Sequence, residues 1–276
     1  ANCSLVIRCM KINILFLGLL SIALLPSCLL ATDSLEVKQD SIPFLLNDST
    51  VMIVKHVYGN DSIRFLSVHD DENTGVEAAL DFMKEYGGSL VELQYGGERN
   101  IVFNLENSID KCIFDPNGMF TDTGAHRTLD KHSRVTPEAV RAIRSLGETV
   151  LETYNYDSLG YVITLHNNTE GLYSIRYYLP GKLMDSAASQ VHINPAWDTD
   201  DFVFVTEPFF FDYLKKRDVN VVLQSPDAPN DGSLSVYSAM QGIPYVNIEV
   251  QDGHLKEQRE LIGIVTQMMT EFLKKP

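Results

Sequence analysis

Apolar residues along the 276-residue chain fall into two alternating patterns. Residues 51–57 and 63–69 are short runs rich in β-branched and aromatic side chains, which predicts two neighbouring strands. Thr74-Gly75-Val76-Glu77 then opens a helix to about Tyr86, with Ala78, Ala79, Phe82 and Met83 at helical spacing and Gly87-Gly88 as its stop. Residues 90–94 and 101–105 read as further strands. Thr136-Pro137-Glu138-Ala139 marks a helix start, a capping threonine with proline at the first helical position, and that helix continues to Tyr154. Strand patterns at 161–166, 201–206, 220–224 and 245–250 follow, separated by helical patterns at 208–217 and 233–241, and a last helix spans about 254–274. The alternation predicts one α/β domain over residues 50–276, a single mixed, mostly parallel twisted sheet with helices on both faces.

The N-terminal part does not fit that domain. Met10-Lys11 opens an apolar run over residues 12–25 that is short for a bilayer span and ends in Leu25-Pro26-Ser27-Cys28, the pattern of a secretory signal segment, residues 1–28. The ending resembles a bacterial lipobox, in which Cys28 becomes the acylated first residue; plain cleavage after Ala31 is the alternative. Residues 29–49 read as a polar linker. Of the four cysteines, only Cys112 lies beyond Cys28, so no disulfide framework is expected. Removing residues 1–27 takes away Arg8 and Lys11 and no acid, leaving 20 basic against 37 acidic side chains and a formal charge of −17. That balance argues against nucleic acid as a partner. The expected compartment is the periplasm or the membrane surface, with membrane contact only through a lipid on Cys28.

Candidate chemistry sits where strands end, the place where ligand sites collect in open α/β sheets. His69-Asp70-Asp71-Glu72 follows the strand 63–69, and a histidine and a carboxylate three positions apart can turn toward one point. His166 closes another apolar strand and Glu249 lies at the end of a third. Two histidines and a carboxylate form the usual three-ligand set of a catalytic zinc with a position open to water. Asp70 and Asp71 are candidates to orient His69, or are simply exposed.

In this order the residues resemble the zinc carboxypeptidase superfamily, including its succinylglutamate desuccinylase and aspartoacylase branch, over about residues 51–261. The resemblance implies a Zn²⁺ bound by His69, Glu72 and His166, with Glu249 as general base. It further implies that Arg99 polarises the scissile carbonyl and that Asn117 contacts substrate. The family's Asn-Arg pair looks like Asp115-Pro116-Asn117-Gly118, with glycine where the second arginine is expected, the one that grips a terminal carboxylate. Arg127 and Arg176 are the candidates to take its place. Tyr237 is either a proton donor lining the cleft or part of a helix core with Leu234 and Met240.

The expected function is exported, zinc-dependent hydrolysis of a peptide or N-acyl amino acid, with cell-wall stem peptides as natural substrates in a bacterial envelope. The alternative is a non-catalytic metal- or ligand-binding lipoprotein on the same fold.

Overall fold

The computed structural model describes residues 35–105 and 111–274. The leader-like run 12–25 and Cys28 lie outside the described residues, and among these no helix is long and apolar enough to cross a membrane. In chain order the elements are β1 (Val37–Leu46), β2 (Ser49–Tyr58), β3 (Arg64–Ser67), α1 (Asn73–Tyr86), β4 (Gly88–Gln94), β5 (Ile101–Asn104), β6 (Lys111–Phe114), α2 (Asp122–His132), α3 (Pro137–Tyr154) and the single turn α4 (Tyr156–Leu159). There follow β7 (Val162–Asn168), β8 (Ala188–His192), β9 (Phe202–Val205), α5 (Pro208–Lys215), β10 (Val221–Gln224), α6 (Leu234–Met240), β11 (Tyr245–Gln251) and α7 (Leu255–Phe272).

Nine strands form one sheet in the order β1-β2-β4-β3-β7-β11-β9-β10-β8, while β5 and β6 pair separately. The centre, β4-β3-β7-β11, is parallel. Toward the edges β1 with β2, β2 with β4, β11 with β9 and β10 with β8 are antiparallel, and β10 with β9 is parallel. The fold is therefore α/β with a mixed sheet, as expected, but pairing is parallel only through the centre and between β9 and β10, so the sheet is not mostly parallel. One reason is local: a two-residue turn at Asn47, with φ of 51°, joins β1 to β2, and so short a connection can only reverse the chain.

Three further expectations need correcting. The strands at 51–57 and 63–69 are not neighbours, because β4 lies between them. Much of the polar linker 29–49 is β1, which pairs with β2 over ten positions. Its side chains are mostly exposed, so an edge strand reads as polar chain. The strand at 101–105 belongs to the small sheet.

Two apolar layers flank the large sheet. On one side α1, α5 and α7 pack through Phe82, Met83, Phe210, Leu261 and Met268 onto Phe65, Ile163, Leu165, Val246 and Ile248. On the other, Ile143, Leu146 and Val150 of α3 join Val91, Leu93 and Phe103. Every residue of β7 is buried, yet its two faces differ: Ile163 and Leu165 enter the first layer, while Thr164, His166 and Asn168 point to the opposite side. In β11, Val246, Ile248 and Val250 alternate in the same way with Tyr245, Asn247 and Glu249. The polar face of these two central strands forms the floor of the site.

Candidate metal centre and cavity

β3 stops at Ser67, and the turn His69-Asp70-Asp71-Glu72 leads into α1, closed by a bond from the Glu72 N–H to the His69 carbonyl at 3.4 Å. The start of α1 is held against β7: Asn167 Oδ1 accepts from the Gly75 N–H at 2.8 Å. Gly75 is needed for this close approach, since a Cβ there would meet the Leu165 Cβ at 3.1 Å. This packing brings the turn beside His166 on β7.

Three side chains converge there. His69 Nδ1 lies 3.0 Å from Glu72 Oε1, His166 Nδ1 lies 2.8 Å from Glu72 Oε2, and the two Nδ1 atoms are 3.2 Å apart. All three residues are buried, with the His69 side chain 0% exposed and that of Glu72 4%. His69, Glu72 and His166 thus form a group able to hold a metal ion.

The surrounding charges support that group. His69 Nε2 is 2.9 Å from Asp115 Oδ1, which turns Nδ1 toward Glu72 and His166. Asp115 also accepts from the Asn117 N–H at 2.9 Å, so one carboxylate fixes both the histidine and the short 3₁₀ turn Pro116–Gly118. Burial works against the His69 imidazolium, but Glu72 and Asp115 outweigh it and lift the His69 pKa to about 9. Burial also opposes ionisation of Asp115, yet the bond to His69 and the nearby Arg99 hold its carboxyl down at about 2. For Glu72 the same burial penalty is overcome by His166 and His69, and its pKa lies well below the ordinary range.

Arg99 donates from Nη1 to Glu72 Oε1 at 2.6 Å, and its Nη2 lies 3.8 Å from Asp115 Oδ2, while about half of its side chain remains exposed. The loop that carries it is braced by Asp70. That carboxylate accepts from the Tyr95 and Gly97 N–H groups, and the Tyr95 hydroxyl donates to the Arg99 carbonyl at 3.0 Å. The role expected for Asp70 or Asp71, orienting His69, falls instead to Asp115. Asp71 lines the cavity described next.

Glu249 stands directly opposite His166 in the β11–β7 register, on the same face. Asn168 Nδ2 and Asn247 Nδ2 hold its two carboxylate oxygens at 3.3 and 3.1 Å. Burial raises its pKa above the ordinary glutamate value. Glu72, Arg99, Asn117, His166 and Glu249 all line one cavity of about 640 Å³. The polar positions that sequence reading passed over, Asn168, Tyr173, Tyr178, Tyr245 and Asn247, line it too. Asn168, Tyr245 and Asn247 could have been found as the alternate positions of β7 and β11 that interrupt otherwise apolar strands.

Other expected site residues lie elsewhere. Arg127 and Arg176 are exposed and do not line the cavity; Arg127 donates to the Asn230 carbonyl at 3.2 Å. Tyr237 stacks on Tyr156 with ring centroids 5.7 Å apart, packing on the core rather than facing the cavity. His254 pairs with Asp201 at 2.9 Å beside a smaller cavity of about 250 Å³.

Gly118 is glycine for a packing reason. A Cβ there would lie 2.8 Å from the Gly124 carbonyl oxygen, a Cβ on Gly124 would lie 2.6 Å from the Gly232 carbonyl oxygen, and one on Gly232 would lie 2.2 Å from the Gly124 Cα. Gly232 has a φ of 82°. Three backbones meet without side chains, so no arginine fits at 118.

No protein-family model matches the chain, and no curated protein is significantly similar to it in sequence.

Proposed function

We propose that the protein is an exported zinc amidohydrolase of carboxypeptidase type, with the carboxypeptidase-like fold that the order of its site residues implies, acting on a peptide or N-acyl amino acid. One observation carries the reading: three ligand atoms lie within 4.8 Å of one another, and two of their residues, Glu72 and His166, share a cavity with a buried carboxylate, Glu249, on the strand next to His166. Zinc accepts imidazole nitrogen and carboxylate oxygen equally well, and its bonds of about 2.0–2.1 Å set tetrahedral ligand atoms about 3.3 Å apart. The 3.2 Å between the two Nδ1 atoms fits that spacing, and Glu72 offers Oε1 at 3.0 Å from His69 and Oε2 at 2.8 Å from His166. Zinc would supply Lewis acidity, lowering the pKa of water to about 7 and polarising the scissile carbonyl.

The chain's own groups do the rest. Glu249, with its pKa raised by burial, is suited to take a proton from water and return it to the leaving nitrogen. Asn168 and Asn247 keep its carboxylate in place. Arg99 turns from Glu72 toward the carbonyl oxygen as negative charge develops there. Asn117 contributes a polar contact at the cavity wall. The leader-like run 12–25 and Cys28 support export and a lipid anchor, and with them a cell-envelope substrate such as a stem peptide.

Gly118 favours a second reading, a binding lipoprotein that keeps the metal, because the carboxylate-gripping arginine is excluded by packing. The two part on one experiment. Wild-type protein loaded with zinc should hydrolyse members of a panel of peptides and N-acyl amino acids. Glu249→Gln should retain the metal and lose activity by about 10²–10⁴-fold. Metal retention with no wild-type turnover on any panel member would leave the binding-protein reading.

A further inference from the structure

Glu249 is held by two side-chain amides, and the amides are themselves held in different ways. Asn168 Nδ2, 3.3 Å from Glu249 Oε1, also donates to the main-chain carbonyl of Asp200 at 2.7 Å. Reversing that amide would turn an oxygen toward two acceptors, so the main chain fixes it. Asn247 Nδ2, 3.1 Å from Glu249 Oε2, is fixed from its other end, where Asn247 Oδ1 accepts from Thr164 Oγ1 at 3.1 Å.

Register puts Thr164 there. It stands opposite Asn247 in the β7–β11 ladder, as His166 stands opposite Glu249, so hydroxyl, amide and carboxylate share one face of the paired strands. Thr164 Oγ1 also lies 2.7 Å from the Tyr245 hydroxyl. A threonine hydroxyl has one proton, and here it goes to Asn247, so the tyrosine is the donor in that bond. Burial raises the Tyr245 pKa, which keeps the phenol protonated for the task.

The bonds therefore run one way: Tyr245 O–H to Thr164, Thr164 O–H to Asn247 Oδ1, Asn247 N–H to Glu249 Oε2. Direction matters at the last member. A turned Asn247 amide would set Oδ1 against an ionised Oε2, two acceptors with no proton between them. Thr164 and Tyr245 are buried, and Thr164 does not line the cavity, so its influence on Glu249 passes through Asn247.

We infer that Thr164 and Tyr245 are positioning residues for Glu249, which keep the Asn247 amide turned nitrogen-first to the carboxylate and so hold the carboxylate in its place in the cavity. The orientation of the amide does not depend on turnover; its effect on catalysis rests on the hydrolase reading.

The test compares Thr164→Val, which keeps the side-chain shape without the donor, with Thr164→Ser, which keeps the donor. The side-chain amide protons of Asn247 and Asn168 are followed by NMR in zinc-loaded, asparagine-labelled protein, each assigned by its loss from the corresponding aspartate variant. In Thr164→Val the Asn247 protons should exchange with water at least about fivefold faster, while those of Asn168 keep their rate. On a panel compound that the wild type hydrolyses, kcat should fall at least about tenfold with KM within about twofold. Thr164→Ser should restore both. Zinc affinity in chelator competition should stay at the wild-type level, which separates action through Asn247 from action through His166, two positions along the strand.

Circular dichroism shows whether the valine variant folds; if it does not, Tyr245→Phe decides, with both effects expected at about threefold. Exchange rates that change alike at Asn247 and Asn168, or at neither, overturn the inference. So does an unchanged kcat in a variant whose Asn247 protons exchange faster, or a loss of zinc affinity that matches the loss of kcat. Selective exchange at Asn247 without wild-type hydrolysis keeps the assigned orientation and removes the hydrolase reading; hydrolysis that Thr164→Val leaves intact does the reverse.

Discussion

Two buried histidine–carboxylate groups in this chain have similar separations and different consequences. His56 Nε2 on β2 meets Glu92 Oε1 on β4 at 2.8 Å, and Gln94 Nε2 completes the group at 2.9 Å. Donor and acceptor satisfy each other, and neither side chain borders a cavity above. At His69, Glu72 and His166 two imidazole nitrogens face each other and one carboxylate together, while Asp115 holds the far nitrogen of His69. Such a group is kept together by protons, as the elevated His69 pKa of about 9 expresses, and a metal ion can replace them. A short histidine–carboxylate contact is therefore no sign of a metal site by itself. Convergence of a second imidazole, beside an open cavity, is.

The largest separation between the two groups should come from His166→Ala. It should abolish stoichiometric metal binding, measured by elemental analysis after dialysis, and lower hydrolysis on the order of 10³-fold or more. His56→Ala should leave both metal content and turnover near wild type.

Asp115→Ala comes next and should weaken metal affinity about 10–100-fold in chelator competition, the usual cost of losing the acceptor that orients a ligating histidine. Asp70→Ala should leave that affinity unchanged, because Asp70 braces the Arg99 loop and not His69. Equal losses in the two variants would contradict the assignment of Asp115.

Glu249 provides a test through pH. Burial raises its pKa, so the folded metal-free protein holds the proton more tightly than the unfolded chain does. Below the unfolded value both states are protonated and nothing is lost; as pH rises through the folded value the ionised carboxylate comes to destabilise the fold. Glu249→Gln should thus raise the melting temperature of metal-free protein at neutral pH, with the gain vanishing near pH 4. A gain independent of pH would point to packing in place of ionisation.

The smallest effect lies at the closed pair. His56→Leu leaves Glu92 with Gln94 as its remaining donor and should cost about 1–3 kcal/mol of unfolding free energy in denaturant titration, at unchanged metal content.

Much of this molecule was legible in the sequence because its central elements carry strong periodicity. α3 begins at Pro137 after Thr136, whose side chain accepts from the Ala139 N–H as the Thr-Pro pair predicts, and it runs to Tyr154, the expected end. β7 and β11 are apolar enough to be read as strands, and their polar interruptions, His166 and Glu249, mark them as carrying site residues. What stayed hidden has physical causes. β1 is an edge strand whose exposed side chains resemble a linker. α2 buries only Gly124, Ala125, Thr128 and Leu129, too small a stripe to stand out as periodic. Strand order, and with it the separation of β2 from β3 by β4, is a matter of long-range pairing that no local pattern encodes. Asp115 stands out in the sequence only through its neighbours Asn117 and Gly118, because its contact with His69 spans 46 positions.

The meeting of Gly118, Gly124 and Gly232 also limits how this chain can evolve. A descendant under selection for a cationic clamp at position 118 would have to move two other backbone segments first, and each first step alone would disturb the wall of the cavity.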